Sequence, residues 1–227
     1  MILFESGDVL ALDKPPGVSM ATSTKAGKSA AHAVQRLFAA CGLRPPDSAP
    51  LLVHRLDAGT SGVVLLAKTP EAHRALSLAF QERRAKKTYR ALVWGRPAPA
   101  AGTIELPLAR DPKDGRKMRV SAEGKPSSTR YTTLRRLSSL TDLQLHPETG
   151  RTHQIRVHLS AVGHPIAGDD FYGGARRWRG VRDPRLREAL RRIARPLLHA
   201  WRIEIPEMGI DVTAPLPGDY EEILASA

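Results

Sequence analysis

Residues 51–68 read LLVHRLDAGTSGVVLLAK, two apolar runs around a short polar centre. Apolar runs of this length, bounded by glycine and small polar residues, read as buried strands. The segment is therefore expected to form strands over 51–57 and 63–68 with a polar turn between them. One carboxylate, Asp57, closes the first run, with Arg55 two residues before it and Gly-Thr-Ser-Gly (59–62) after it. As a turn-initiating residue Asp57 would be ordinary, because a short acid can accept hydrogen bonds from the backbone just beyond it. Arg55 and the later polar-basic stretch GRTHQIRVH (150–158) point instead to a buried carboxylate, which needs a cationic partner to stay ionised. Arg151 and Arg156 are the candidates for that partner.

Working outward, DVLALD (8–13) reads as a strand ended by Lys-Pro-Pro-Gly (14–17). Residues 18–28 read as loop. SAAHAVQRLFAAC (29–41) reads as an amphipathic helix capped by Ser29 and stopped by Gly42. RPPDSAP (44–50) reads as a linker. A second helix starts at Thr69 and Pro70, with Glu71 in its first turn, and is expected to run to about Arg84. TYRALVW (88–94) is a further strand, and PAPAAGT (97–103) a turn-rich break. Residues 104–145 read as strands separated by the basic loop 109–128. Residues 152–162 form a helix candidate, since Ile155, Leu159 and Val162 share a face, and Asp183-Pro184 starts a late arginine-rich helix. Residues 199–205 and 210–214 are strand-like. Strands with interspersed helices, without regular βαβ alternation, predict an α+β fold with a mostly antiparallel sheet. The 227 residues are read as one domain, 1–227.

No apolar run approaches the roughly 18 residues that span a bilayer. The N-terminus lacks the basic start and cleavage site of a signal peptide. A single cysteine, Cys41, excludes an internal disulfide. Together these readings predict a cytoplasmic protein without a membrane partner. The net charge of +12 favours a polyanion, with nucleic acid first among candidates. A compositional skew toward arginine, 26 against nine lysines, would give the same excess. Nine of those arginines fall within 176–195, against only Asp183 and Glu188. That stretch reads either as an auxiliary phosphate-contact surface or as a solvated helix face.

Three familiar signatures nearly occur. Gly27-Lys28-Ser29 echoes a phosphate-binding loop, but Thr22 stands where its first glycine is needed. Gly-Thr-Ser-Gly echoes a hydrolase nucleophile elbow with its second glycine one place early. His146, His153, His158 and His164 match no zinc spacing and have no cysteine beside them, so no metal is expected.

HRLDAGTSG (54–62) resembles the central motif of the RluA-type pseudouridine synthases. The resemblance continues through KTYRALVWG (87–95), GRKMRVSAEGKPSSTRY (115–131), ETGRTHQIRVHLSAVGHPIAGDDFYG (148–173) and LLHAW (197–201), in the family's order. It implies that family's fold, a mixed, mostly antiparallel sheet with flanking helices and a central cleft. Because the motifs begin so near Met1, no N-terminal RNA-binding domain of the S4 type is expected.

The family's reaction cuts the glycosidic bond of a uridine within ribosomal or transfer RNA and rejoins the turned uracil through C5. The resemblance makes Asp57 the carboxylate that drives it, either by attacking C1′ of the ribose or by assisting loss of the base through a glycal. It makes Arg156 the partner of Asp57 and Tyr89 the active-site tyrosine, whose ring stacks on uracil and whose hydroxyl moves a proton. It makes Arg55 the side chain that fills the space left by the flipped base. Arg151 and His153 are expected to line the RNA side. No cofactor is expected, since the isomerisation needs neither redox step nor group donor, and the chain is expected to act as a monomer. Two alternatives stand beside this reading. One is a non-catalytic RNA-binding protein on the same fold. The other is a basic glycoside hydrolase, which would need a second carboxylate; Asp169 and Asp170 lie in GDDFYGG (168–174), which the resemblance makes structural.

Overall fold

The computed structural model describes residues 1–21, 29–44, 46 and 50–226. The loop expected over 18–28 and the linker expected over 44–50 lie largely outside them, as does most of the near phosphate-binding loop. In chain order the elements are β1 (Ile2–Glu5), β2 (Val9–Lys14), α1 (Ala30–Ala40), β3 (Leu51–Leu52), β4 (Ser61–Ala67), α2 (Pro70–Gln81) and β5 (Lys86–Trp94). There follow β6 (Ala101–Glu105), β7 (Leu108–Arg110), β8 (Met118–Val120), β9 (Ser128–Arg136), β10 (Leu140–Pro147) and α3 (Gln154–Ala161). The chain ends with α4 (Pro184–Arg191), β11 (Leu198–Ile205), β12 (Ile210–Thr213) and α5 (Gly218–Ser226). The fold is α+β with mostly antiparallel pairing, as the sequence predicts. Two compact units divide the chain, Met1–Lys87 with His199–Pro215 and Thr88–Leu198 with Leu216–Ala227.

In the first unit the strands run β1-β2-β4-β11-β12. β4 is its centre, and all seven of its residues are buried. Alternation sends Val63, Leu65 and Ala67 to one face, where they pack with Ala72, Leu76 and Ala79 of α2 and with Ile203, Ile205 and Val212. Val64 and Leu66, on the opposite face, are just as fully buried. Thr69 caps α2 by accepting from Ala72 N, and Ser29 caps α1 by accepting from His32 N. α2 stops at Gln81, short of Arg84, because Arg83 takes a left-handed φ of 61°.

The strand expected over 51–57 is a correction: β3 ends at Leu52. Leu51 and Leu52 pair with Ala67 and Leu66, but the next amide of β4, Leu65 N, donates to Nε2 of His54 at 2.9 Å. An imidazole thus replaces the backbone carbonyl, and the chain is released from the ladder just before Arg55, Leu56 and Asp57.

The second unit is an antiparallel sheet in the order β5-β10-β9-β6. Ala91, Val93, Leu143 and Leu145 share one core with Ile155 and Leu159 of α3, Leu186, Ala189 and Leu190 of α4, and Tyr220 and Ile223 of α5. The expected turn-rich break over 97–103 gives way to β6 from Ala101, where pairing with Thr132 of β9 overrides the local glycine and alanines. The basic loop expected over 109–128 contains the hairpin β7–β8, turned by Asp111, whose carboxylate accepts from Lys113 N at 2.7 Å and Asp114 N at 3.2 Å.

Candidate active site

Asp57 lies in the loop between β3 and β4, and three devices hold that loop. Leu56 is buried at 6 % exposure, between an exposed Arg55 and a half-buried Asp57. Alternation around this anchor turns the arginine and the acid away from the core. Beyond the acid, Thr60 N donates to Asp57 O at 3.1 Å, closing a tight turn. Below it, the ammonium of Lys14 is completely buried and donates to Pro15 O and Ala58 O at 3.0 Å and to Thr60 O at 2.7 Å. A buried ammonium is tolerated only when its protons are satisfied, and main-chain oxygens of the Asp57 loop satisfy it here. Sequence reasoning took Lys14 only as the start of a strand terminator.

The Gly-Thr-Ser-Gly turn has its own reason. Gly62 sits at φ +114°, and a Cβ there would meet Ala200 O at 2.1 Å. β11 pairs in parallel with β4 through His199 opposite Ser61 and Ala200 opposite Gly62, so only glycine permits the approach. His199, fully buried, shares a 3.0 Å hydrogen bond with Ser61 Oγ through Nδ1 and a 3.4 Å contact with Ala214 O through Nε2. A carbonyl can only accept, so Nε2 carries the proton and Nδ1 accepts from the serine hydroxyl. His54 stacks on Phe80 with centroids 4.6 Å apart. Burial first, and the charge of Lys87 second, push its pKa down to about 3. The ring therefore stays neutral and can accept from Leu65 N.

The second unit carries Tyr89, Arg151, His153 and Arg156. Tyr89 stands on β5 opposite Leu145, half-buried against the core. Arg156, in the first turn of α3, is buried with Asp169: Nε meets Oδ2 at 2.7 Å and Nη2 meets Oδ1 at 2.9 Å. The fork fixes the plane of the guanidinium. Its carbon lies 5.0 Å from the Tyr172 ring centroid and 5.5 Å from that of Phe171. Asp169 Oδ1 also accepts from Phe171 N at 3.0 Å and Tyr172 N at 3.2 Å, so one carboxylate sets both the arginine and the aromatic pair beside it. The GDDFYGG turn is structural, as expected, but its first acid is also the mount of Arg156. The 13 positions between it and Arg156 hid that role in the sequence.

His153 starts α3 at a left-handed φ of 54° without a side-chain cap. Gln154, the first helical residue, orders the turn before the helix: its Oε1 accepts from Arg151 N at 3.1 Å and from the Thr149 hydroxyl at 2.6 Å, while Nε2 donates to Ser128 O at 2.9 Å. His153 Nδ1 lies 2.8 Å from the Tyr172 hydroxyl, which also accepts from Met118 N at 2.9 Å. The β7–β8 hairpin is thereby tied to the same aromatic, with Arg116 and Lys117 over the Phe171 ring at 5.7 and 5.6 Å. Arg151 Nε donates to Pro126 O at 3.3 Å. Thus His153 and Arg156 converge on Tyr172, whereas Arg151 bonds to the chain entering β9, and Arg55 and Asp57 belong to the first unit. His158 is fully buried and spent on Thr129, Ser127 and Leu106 O, a structural role. Among the described residues, no cluster of His, Cys, Asp and Glu could hold a metal ion, and no helix is long and apolar enough to cross a membrane.

The first unit thus presents a half-buried acid on a braced loop, and the second a strand tyrosine and a buried, forked arginine. Comparison with known proteins names the family that carries them. The RNA pseudouridylate synthase family matches residues 8–161. The chain is 37% identical over 231 residues to the ribosomal large subunit pseudouridine synthase D of Nitrosomonas europaea, covering 98% of this chain and 64% of that protein. It is 38% identical over 226 residues to the dual-specificity RNA pseudouridine synthase RluA of Salmonella typhi, covering 97% and 94%. The solved structure of human RNA Pseudouridylate Synthase Domain Containing 4 superposes with a TM-score of 0.75 at 25% identity, covering 99% of this chain and 92% of that one. The chain belongs to the RNA pseudouridylate synthase family. It spans just under two thirds of the length of the Nitrosomonas relative.

Proposed function

We propose that the protein isomerises uridine to pseudouridine within ribosomal or transfer RNA. The observation that carries this reading is that the family match, residues 8–161, runs through Asp57, Tyr89 and Arg156. The names of the relatives, one a ribosomal large subunit synthase and one a dual-specificity enzyme, support both RNA classes as candidates. That match also crosses from the first compact unit into the second, which supports treating residues 1–227 as one catalytic domain.

In this mechanism Asp57 acts on C1′ of the target ribose, by direct attack or by assisting departure of uracil. Arg156, its plane set by Asp169, pairs with the Asp57 carboxylate. Tyr89 stacks on the turned uracil and takes part in proton movement. Arg55, exposed beside the acid, occupies the stack from which the base has flipped, and Arg151 and His153 contact the RNA. The chemistry uses no cofactor and no metal, and the enzyme works as a monomer in the cytoplasm.

Asp57→Asn tests the core of the proposal. The variant should bind RNA and melt as the wild type does, while releasing no tritium from RNA labelled at C5 of uracil. Full release by the variant would remove Asp57 from the mechanism. A wild-type protein that binds transcribed ribosomal and transfer RNA but never releases label would support the non-catalytic RNA binder instead. Mapping pseudouridine in RNA from cells with and without the gene identifies the target uridine.

A further inference from the structure

The arginine-rich stretch 176–195 is two surfaces. Its last three arginines are consumed by carboxylates. Arg195 forks onto Asp219 with both bonds at 2.6 Å, Arg192 pairs with Glu222, and Arg191 pairs with Glu188 at 2.7 Å. Two of these ties fasten α5 to the unit. The earlier part is different. Arg176, Arg179, Arg182, Arg185 and Arg187 are all exposed, and among the described residues none of them takes part in an ion pair. Asp183, the one acid among them, turns its carboxylate to Leu186 N at 2.8 Å as the cap of α4.

This lobe is rigidly joined to the candidate site. Gly174 N and Ala175 N donate to Asp169 O at 2.8 and 3.1 Å, and Gly174 O accepts from Trp94 Nε1 at 2.7 Å. A Cβ on Gly174 would meet Ile166 O at 1.7 Å, so the turn is packed shut. Arg177 Nε donates back to Gly173 O at 3.2 Å, and Arg179 lies 5.6 Å over the Trp178 ring. The lobe thus begins four residues after Tyr172, at most about 14 Å of extended chain away.

We propose that the exposed arginines of 176–187 form a second RNA-contact surface, which grips phosphates of the strand flanking the target rather than the target loop itself. The chemistry favours a polyphosphate backbone. Five exposed guanidiniums without carboxylates keep their forks available for bidentate phosphate contacts. The inference rests on the RNA-modifying reading, and its test separates the two.

The test is binding of fluorescently labelled ribosomal RNA hairpins, one trimmed to a loop and short stem of about 15 nucleotides and one extended to about 60, across a range of salt. Replacing Arg182, Arg185 and Arg187 together by alanine should weaken binding of the long RNA about tenfold or more. It should also reduce the slope of log Kd against log salt by about 2, at roughly 0.7–0.9 per lost phosphate contact. Binding of the short hairpin and the melting temperature should not change. Arg191→Ala, which removes a charge already neutralised by Glu188, should behave as the wild type. Unchanged affinity and slope on the long RNA overturn the proposal, as does an equal loss on the short hairpin or in Arg191→Ala. A triple variant that keeps its RNA binding but loses binding to anionic phosphatidylglycerol vesicles overturns it in favour of a membrane surface. If the wild type shows the slope difference but releases no tritium from any RNA, the surface stands and the catalytic reading falls.

Discussion

At the scale of single residues, the candidate groups are held by side chains to which no step of the proposed chemistry is given. Asp169 holds Arg156 by two short bonds and orders Phe171 and Tyr172 through their amides. Asp169→Asn leaves a buried arginine with a neutral partner, a change that costs about 3 kcal/mol. Pseudouridine formation should fall further than stability does, because a misplacement of about 1 Å costs on the order of a hundredfold in rate. Turnover measured well below the melting temperature separates the two effects. His54 makes a second prediction. Its pKa falls from 6.5 unfolded to about 3 in the fold, so between those values the unfolded chain binds the extra proton. The stability it supports is complete above pH 6.5 and is lost as pH falls toward 3, at up to about 1.4 kcal/mol per pH unit. His158, also lowered by burial, acts in the same direction. His54→Gln keeps an acceptor for Leu65 N and should flatten the acid side of a plot of melting temperature against pH. Asp57, Tyr89 and Arg156 can be named as candidates from the sequence alone because their motifs are local. Asp169 and Lys14 were not read as supports, because what they touch lies 13 and 44–46 residues away.

At the scale of elements, legibility followed whether local pattern or distant contact makes the element. β4 and α2 are strong patterns with caps inside the segment, and their reading stands to within a few residues. β3 ends early because a side chain, His54, takes a hydrogen bond that the pattern assigns to backbone. α5 was not anticipated at all. Its short sequence GDYEEILAS holds few apolar residues, and its anchors are Arg195, Arg192 and the buried bond from Tyr220 to Asp142 at 2.7 Å, 24 to 78 residues away. The loop carrying Asp57 is likewise a distant construction, since Lys14 of β2 supplies its floor. Lys14→Met fills the same space without donors and removes three hydrogen bonds, of which only the one to Ala58 O is backed by a second donor, Gly17 N, so the loss is about 2 kcal/mol at roughly 1 kcal/mol for each carbonyl left over. Urea unfolding should show that loss, and the remaining folded protein should release tritium far more slowly than the wild type.

At the scale of the whole molecule, the net charge of +12 is divided unequally in kind rather than in amount. Some arginines are internal fasteners, as Arg90 is to Asp142 and Arg156 to Asp169, and others are exposed without acids. Composition could count these charges but could not sort them, because a fastener and a free arginine look alike in one dimension. Each compact unit is also completed by a late segment of the chain: the first by residues 199–215, the second by residues 216–227. A chain stopped after Leu197 lacks β11 and β12 from the first unit and α5 from the second. It should be found in the insoluble fraction on expression, whereas the 227-residue chain should be recovered in the soluble fraction; recovery of a soluble, cooperatively melting truncation would show that the first unit does not need its C-terminal strands.

The same threading has a consequence for how the protein is born. β4 leaves the ribosome early, as an uncharged apolar strand without proline, and β11, which must lie against Ser61 and Gly62, follows roughly 140 residues later. At about 5–20 residues per second that interval is about 7–30 s. For that time the margin of β4 at Ser61 and Gly62, beside the Asp57 loop, is uncovered, and such a margin can recruit other nascent chains. Lys14 and His54, both made before β4 or just ahead of it, can already clasp the loop and Leu65 N. The residues that brace the Asp57 loop are thus also the first available guards of the apolar strand that follows it.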